Sequence, residues 1–151
     1  MKKLFAALMM LALGISSALA ADRGTPAEAE AMVKKAIAHY KKVGKDKALV
    51  DFVRKDGGFI DRDLYVTVYD YSGVTLAHIN PRIVGKNMLE RRDENGKFHI
   101  KERIELARKQ GSGWQDLAGR VNPTNKKAED KRTYFESYDN LVFASGVFKP
   151  N

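Results

Sequence analysis

The period at which apolar residues recur changes at Gly57-Gly58, and this change restricts the chain to helices followed by a sheet. Before the two glycines, apolar residues recur every three to four positions, which is typical of amphipathic helices. After them, residues 64–70 alternate and are rich in β-branched and aromatic side chains, as β-strands are. The order of these patterns predicts an α+β fold with one hydrophobic core.

Two helices are predicted before the glycine pair. The first spans residues 25–43, where Thr25 is the N-cap, Pro26 takes the first helical position and Glu28 completes a capping box. Its lysines lie opposite its apolar positions, so one face is predicted to cover the sheet. A shorter helix is predicted to begin at Asp46. Its inward residues are predicted to be Leu49, Phe52 and Val53.

After the glycine pair, the patterns predict an antiparallel sheet of about five strands with a helix inserted between strands two and three. Residues 64–70 and 74–78 are predicted to form a hairpin through a Tyr-Ser-Gly turn. An amphipathic helix is predicted at 98–110, and Trp114 is predicted to open the third strand. The last two strands are predicted at 133–137 and 141–148.

Alternation along residues 64–70 separates two kinds of side chain onto opposite faces of the sheet. The aliphatic face suits packing on the first helix. The hydroxyl-bearing face lies beneath the inserted segment, where it either lines a partly polar cavity or forms ordinary core with satisfied hydroxyls. The aliphatic face comprises Leu64, Val66 and Val68, and the hydroxyl-bearing face comprises Tyr65, Thr67 and Tyr69.

The first twenty residues have the pattern of a secretory signal peptide. Lys2 and Lys3 precede an apolar run at 4–14, and residues 18–20 (ALA) form a small-x-small cleavage signature. The run is shorter than the roughly 20 residues that span a bilayer, and the absence of cysteine excludes a lipid anchor. We therefore predict a signal peptide at 1–20, a single domain at 21–151, and a periplasmic or secreted protein without membrane insertion after cleavage.

The composition excludes several kinds of function. A chain without cysteine has no thiol nucleophile, thiolate zinc site or haem attachment. No serine elbow, phosphate loop, dinucleotide fingerprint or metal-binding histidine pair is present, so neither catalysis nor a cofactor nor a metal is predicted. The net charge of +8 favours anionic partners in general. Nucleic acid is disfavoured, because the chain is predicted to be exported and lacks a basic stripe with interleaved aromatics.

The motifs, in their order, resemble the single Cache domain family of bacterial extracytoplasmic sensors over about residues 25–148. The resemblance is carried by DRDLYVTVYDYSGVTLAH, NPRIVGKNM, DENGKFHIKERIELARKQGSGW and KRTYFESYDNLVFASGVF. It implies a PAS-like sheet behind a long N-terminal helix, and a receptor for a small carboxylate such as acetate, propionate, lactate or pyruvate. Typical members continue into a transmembrane helix and a signalling module. Because this sequence stops at Asn151, a separate partner is expected, namely a membrane histidine kinase, a chemoreceptor or a transporter.

Four polar residues are predicted ligand contacts. The family commonly has a lysine before a Ser/Thr-Tyr pair, so the resemblance assigns Lys131 to the carboxylate, and the alternative is an ordinary surface lysine. His78 either donates to a ligand oxygen, which would make the affinity depend on pH near neutrality, or bonds a loop carbonyl. Tyr65 and Tyr69 share a strand face and are predicted to supply hydroxyl donors.

The apolar end of the ligand also needs a wall. Trp114 and Met88 are predicted to provide it, although Trp114 equally suits the core. Residues 117–119 stand where the family often has an aromatic residue, so the shape of this wall is expected to differ. The alternative functions are a secreted protein-interaction module without a small ligand and, less favoured, a hydrolase.

Overall fold

The computed structural model describes residues 22–149, and the predicted signal peptide lies outside the described residues. The helices are α1 (Pro26–Val43), α2 (Lys45–Val53) and α3 (His99–Gln110), with a 3-10 turn at Pro81–Ile83. The strands are β1 (Ile60–Asp61), β2 (Leu64–Tyr65), β3 (Thr67–Asp70), β4 (Thr75–Ala77), β5 (Ser112–Val121), β6 (Ala128–Tyr138) and β7 (Leu141–Lys149). Five strands form one antiparallel sheet in the order β4-β3-β7-β6-β5, and β1 pairs with β2 separately. The predicted α+β class is confirmed.

Helix α1 begins as its sequence predicts. The Thr25 side chain accepts the backbone N–H of Glu28, and the Glu28 carboxylate accepts the backbone N–H of Thr25 at 2.7 Å, which completes the capping box. The inward stripe packs on one face of the sheet, where Phe52 of α2 and Phe143 of β7 join it. The buried residues of α1 are Ala29, Met32, Val33, Ala36, Ile37 and Tyr40.

The second helix differs from its prediction at both ends. It begins at Lys45 after Gly44, whose φ of +82° favours glycine, and not at Asp46. Val53 is 38% exposed, whereas it was predicted to face the core. In a helix, Ala48 and Phe52 are four residues apart and share the buried face, and Val53 lies about 100° further round.

The strand at 64–70 is divided between the two sheets, because its first two residues pair with β1 and its last four pair with β4 and β7. Alternation nevertheless holds across the break. Leu64, Val66 and Val68 pack in the cluster under α1. Tyr69 packs in a second cluster, on the opposite face, beneath α3. The sheet is therefore covered by α1 and α2 on one side and by α3 on the other.

Candidate functional site

A cavity lies on the α3 side of the sheet. Its walls come from β3, β5, β6 and α3, together with His78, which directly follows β4. The space open to the centre of a water molecule is about 30 Å³. A single water needs roughly 10–15 Å³ by this measure, so the cavity suits a ligand of few heavy atoms. The wall includes two tyrosines, two histidines, two threonines and three basic side chains, and no aspartate or glutamate of residues 22–149 lines it.

Lys131 projects into this cavity from β6. It is 6% exposed, and its Nζ atom lies 3.9 Å from the ring centre of Tyr65 and 4.5 Å from that of Phe148. Among residues 22–149, Lys131 has no hydrogen-bond acceptor or ion-pair partner for this ammonium group. Burial, followed by the charges of Arg103 and Arg120, lowers the pKa of Lys131 well below its ordinary value of 10.5. The alternative of a surface lysine is therefore excluded.

Arg103 enters the cavity from the buried face of α3 and is 3% exposed. Its Nε–H donates to Gln115 Oε1 at 3.0 Å, and Gln115 Nε2 donates in turn to the carbonyl of His99 at 3.0 Å and to the carboxylate of Glu102. This chain of hydrogen bonds fixes the guanidinium beside the cavity. Burial is the main cause that lowers the pKa of Arg103 from its ordinary value.

Arg120 completes the basic wall from an irregular part of β5. The register with β6 shifts between Leu117 and Arg120, and Gly119 has a φ of +57°. A Cβ atom on Gly119 would meet the end of the exposed Glu94 side chain, which can move aside, so the positive φ is what favours glycine here. Within the described part of the chain, the Arg120 guanidinium has no ion-pair partner. The bulge therefore aims a second unpaired cation at the cavity.

His78 lies at the mouth of the cavity, where its surroundings favour the neutral ring. Its Nδ1 accepts the backbone N–H of Asn80 at 2.9 Å, which places the proton of the neutral ring on Nε2. Its ring meets the Tyr65 ring edge-on at 5.3 Å between centres. Burial, followed by the charge of Lys131, lowers the pKa of His78 to about 3. Burial and the neighbouring positive charges both disfavour the charged ring, which counts against the expectation that its charge changes near neutral pH.

Several neutral donors complete the wall. Burial raises the pKa of both Tyr65 and Tyr69, so their hydroxyls stay protonated at neutral pH. His99 is buried, and its pKa is lowered to about 3, mainly by burial. Its Nδ1 atom and the Oγ1 atom of Thr133 are buried without a hydrogen-bond partner among the described residues. Unsatisfied buried polar atoms are costly, and a polar ligand is one way to satisfy them.

Two of the predicted site residues lie elsewhere. Trp114 is on the α1 side of the sheet, where its ring packs on Tyr134 with 5.3 Å between ring centres. Side chains alternate along β5, so Gln115 and Leu117 are on the α3 side, where Leu117 lines the cavity, and Trp114 is on the other. Met88 packs with Ile100 in the cluster under α3 and does not line the cavity. The structure thus brings together Lys131, His78, Tyr65 and Tyr69, but not Trp114 or Met88.

The sequence interpretation missed Arg103, Arg120, His99 and Thr133. Arg103 had a detectable signal, since it stands three residues after Ile100 and one before Ile104, within the apolar stripe of α3. Arg120 had none, because its placement depends on a register shift that no local pattern reveals. Thr133 follows from the register of β6 once Lys131 is placed, since the two residues share a strand face.

A five-stranded antiparallel sheet behind a long N-terminal helix is the PAS-like architecture of Cache domains, which are extracytoplasmic sensory ligand-binding modules. The family model described as "Single Cache domain 2" matches residues 7–143, so the chain belongs to the single Cache domain family. No curated protein matches the chain. Within residues 22–149, no helix combines the length and hydropathy needed to cross a bilayer.

Solved structures that share the fold include three chemosensory domains. A methyl-accepting chemotaxis protein from Vibrio parahaemolyticus RIMD 2210633 is 22% identical, with a TM-score of 0.67 over 80% of this chain and 86% of that one. A structure titled for carboxylic acid recognition by a Cache chemosensory domain is 17% identical, with a TM-score of 0.70 over 82% and 92% of the respective chains. A periplasmic sensor domain of a chemotaxis protein is 23% identical, with a TM-score of 0.59 over 93% and 99%. The similarity at these identities concerns the fold.

Proposed function

We propose that this Cache domain is exported and binds a small organic carboxylate, such as acetate, propionate, lactate or pyruvate, in the cavity around Lys131. The observation that carries the proposal is the charge of the wall. Lys131, Arg103 and Arg120 converge on one small space, the first two are buried, and no acidic residue of 22–149 lines that space. Uncompensated buried cations are costly, and an anion bound between them relieves that cost.

The remaining groups match a carboxylate with a short alkyl end. Arginine and lysine N–H groups make charge-assisted hydrogen bonds to carboxylate oxygens, and the Tyr69 hydroxyl adds a neutral donor. Leu117 supplies the apolar contact that was expected of Trp114. The small volume favours ligands of a few heavy atoms. A cavity lined by Lys131 and His78 counts against a protein-interaction module whose pocket is filled by side chains.

The test is a thermal-shift panel in which each short carboxylate is paired with its neutral amide. A carboxylate at a hundred times its dissociation constant should add about 2.7 kcal/mol to the free energy of unfolding. The paired amide, which has the same shape but no charge, should add nothing measurable. Equal responses to acid and amide, or no response to any carboxylate, would refute the proposal.

The proposal also includes export, with a signal peptide at 1–20 and a domain at 21–151 whose signal or ligand passes to a separate partner. Intact-mass analysis of the protein from a periplasmic extract should give a chain that begins at Ala21. Recovery only of the full-length chain, in the membrane fraction, would show that the apolar run is retained as an anchor.

A further inference from the structure

The exposed apolar side chains of this domain are concentrated around the mouth of the cavity. The described residues include five large hydrophobic side chains classed as exposed, and four of them line two grooves that meet at His78 and Ile79. These four are Val50, Val53, Val84 and Val121, with exposures of 57%, 38%, 41% and 62%. An exposed apolar patch of this kind is typical of a site at which a protein binds a partner.

The two grooves are concave and carry different chemistry. The first lies between α2 and the segment that follows β4, is lined by Leu49, Val50, Leu76 and Val84 among others, and has about 610 Å³ open to the centre of a water molecule. The second groove lies beside the β5–β6 connection, and the volume open to the centre of a water molecule is about 390 Å³. Side chains of a protein segment fill such concavities, whereas a flat membrane surface does not.

The second groove is basic as well as apolar. Arg91, Arg120 and Lys126 line it together with Ile83 and Val121. Within residues 22–149, neither arginine has an ion-pair partner, and no aspartate or glutamate lines either groove. Lys126 Nζ donates to the Pro123 carbonyl at 2.6 Å, which holds that ammonium at the rim. The two grooves together therefore form a mainly apolar surface with a row of positive charges along the second groove.

We propose that these two grooves form one docking surface for a segment of a different protein that combines apolar side chains with aspartate or glutamate. The acidic character follows from complementarity to the basic rim. A second copy of this chain is disfavoured, because a two-fold contact places the same cations of both copies together, in a chain of net charge +8. The inference rests on the proposed dependence on a separate partner, and it specifies the surface and the chemistry of that partner.

The position of the surface explains how a partner can respond to the ligand. His78 lines the inner cavity and both grooves, and Tyr65 and Arg120 line the inner cavity and the basic groove. A carboxylate that contacts these side chains changes the wall that the partner contacts. Any such coupling is reciprocal, so a docked segment changes carboxylate affinity by the same factor.

The experiment is selection of short random peptides displayed on phage against the folded domain, followed by anisotropy measurements on the enriched peptides. We expect enrichment of peptides with apolar residues flanked by aspartate or glutamate. Their affinity should fall about tenfold or more in Val121→Ser and Arg91→Gln, and should weaken with added salt. Tyr138→Ser removes the fifth exposed hydrophobic side chain, outside both grooves, and should leave the affinity unchanged.

Three outcomes overturn the docking surface: no enriched peptide, enriched peptides without acidic residues, or equal affinity in Val121→Ser and Tyr138→Ser. Two further measurements test other occupants. A dimer in light scattering that Val121→Ser dissociates would assign the surface to a second copy, and flotation with anionic vesicles that Val121→Ser abolishes would assign it to a membrane. The peptide measurements contain no small organic acid, so failure here is distinguishable from failure of the carboxylate panel.

Discussion

Replacement of Lys131 by methionine is expected to abolish carboxylate binding and, at the same time, to stabilise the ligand-free protein. The two effects have one physical cause. The ammonium group is buried beside the Tyr65 and Phe148 rings without an anionic partner, so it is costly until an anion arrives. Methionine has a similar length and no charge, and it fills the same space against the two rings.

The expected gain in the free energy of unfolding is about 1–3 kcal/mol at neutral pH, by comparison with buried charges replaced by apolar side chains. The expected loss of carboxylate affinity is at least about a hundredfold, because removal of one buried charge-assisted hydrogen bond costs roughly 3 kcal/mol. Chemical denaturation measures the first quantity, and calorimetric titration with the best carboxylate of the panel measures the second.

Lys101→Met is the matched control, because Lys101 is an exposed residue of α3 that does not line the cavity. It should change neither stability nor binding. Unchanged affinity in Lys131→Met would remove the basis of the carboxylate proposal. Loss of both stability and binding would show that the lysine has a structural role that the contacts of its ammonium do not reveal.

Much of the fold was predictable because local signals and tertiary packing agree. The capping box of α1, the helical period of α3 and the alternation along 64–70 each specify one conformation and one buried face. The same alternation brought Tyr65 and Tyr69 to the cavity. A local sequence pattern thus predicts a site residue when the direction of that residue's side chain depends only on the strand that carries it.

The strand β6 shows where such prediction stops. Its first residues, AEDK at 128–131, have low strand propensity and three of them are charged, yet they pair with β5 and β7. The strand was predicted to begin at residue 133, yet Lys131 is already its fourth residue. Trp114 was predicted to line the cavity but faces α1, and Arg120 reaches the cavity through a bulge. Pairing with neighbouring strands decided the positions of Lys131 and Arg120, and the sequence of a single strand does not specify that pairing.

Acidification from pH 6.5 to pH 4.5 is expected to destabilise the ligand-free protein steeply, because the half-buried His78 and the buried His99 are held in environments that disfavour the charged ring. Burial lowers the pKa of each to about 3, whereas an unfolded histidine titrates near 6.5. Below pH 6.5 the unfolded chain therefore binds protons that the folded chain does not, and stability falls with pH. The loss continues until the pH reaches the folded pKa, at about 3.

Each histidine contributes a slope that approaches about 1.4 kcal/mol per pH unit in this window, so the two together approach about 2.7 kcal/mol per unit. Carboxylates such as Glu129, whose pKa is lowered to about 2 mainly by its hydrogen bonds with Arg23, begin to contribute only as the pH approaches the ordinary value of 4.5. Urea denaturation at half-unit intervals from pH 7.5 to pH 4.5 measures the slope directly.

His78→Asn is the informative variant, because the asparagine Oδ1 can accept the Asn80 N–H that His78 Nδ1 accepts now, without a titrating ring. The pH dependence of its stability should be clearly shallower than that of the unmodified protein, and the double variant with His99→Gln should be shallower still. A saturating carboxylate should also reduce the slope, because a bound anion favours protonated histidine. A slope that neither substitution changes would mean that both rings become protonated in the folded domain, and that water reaches the cavity far more freely than its burial implies.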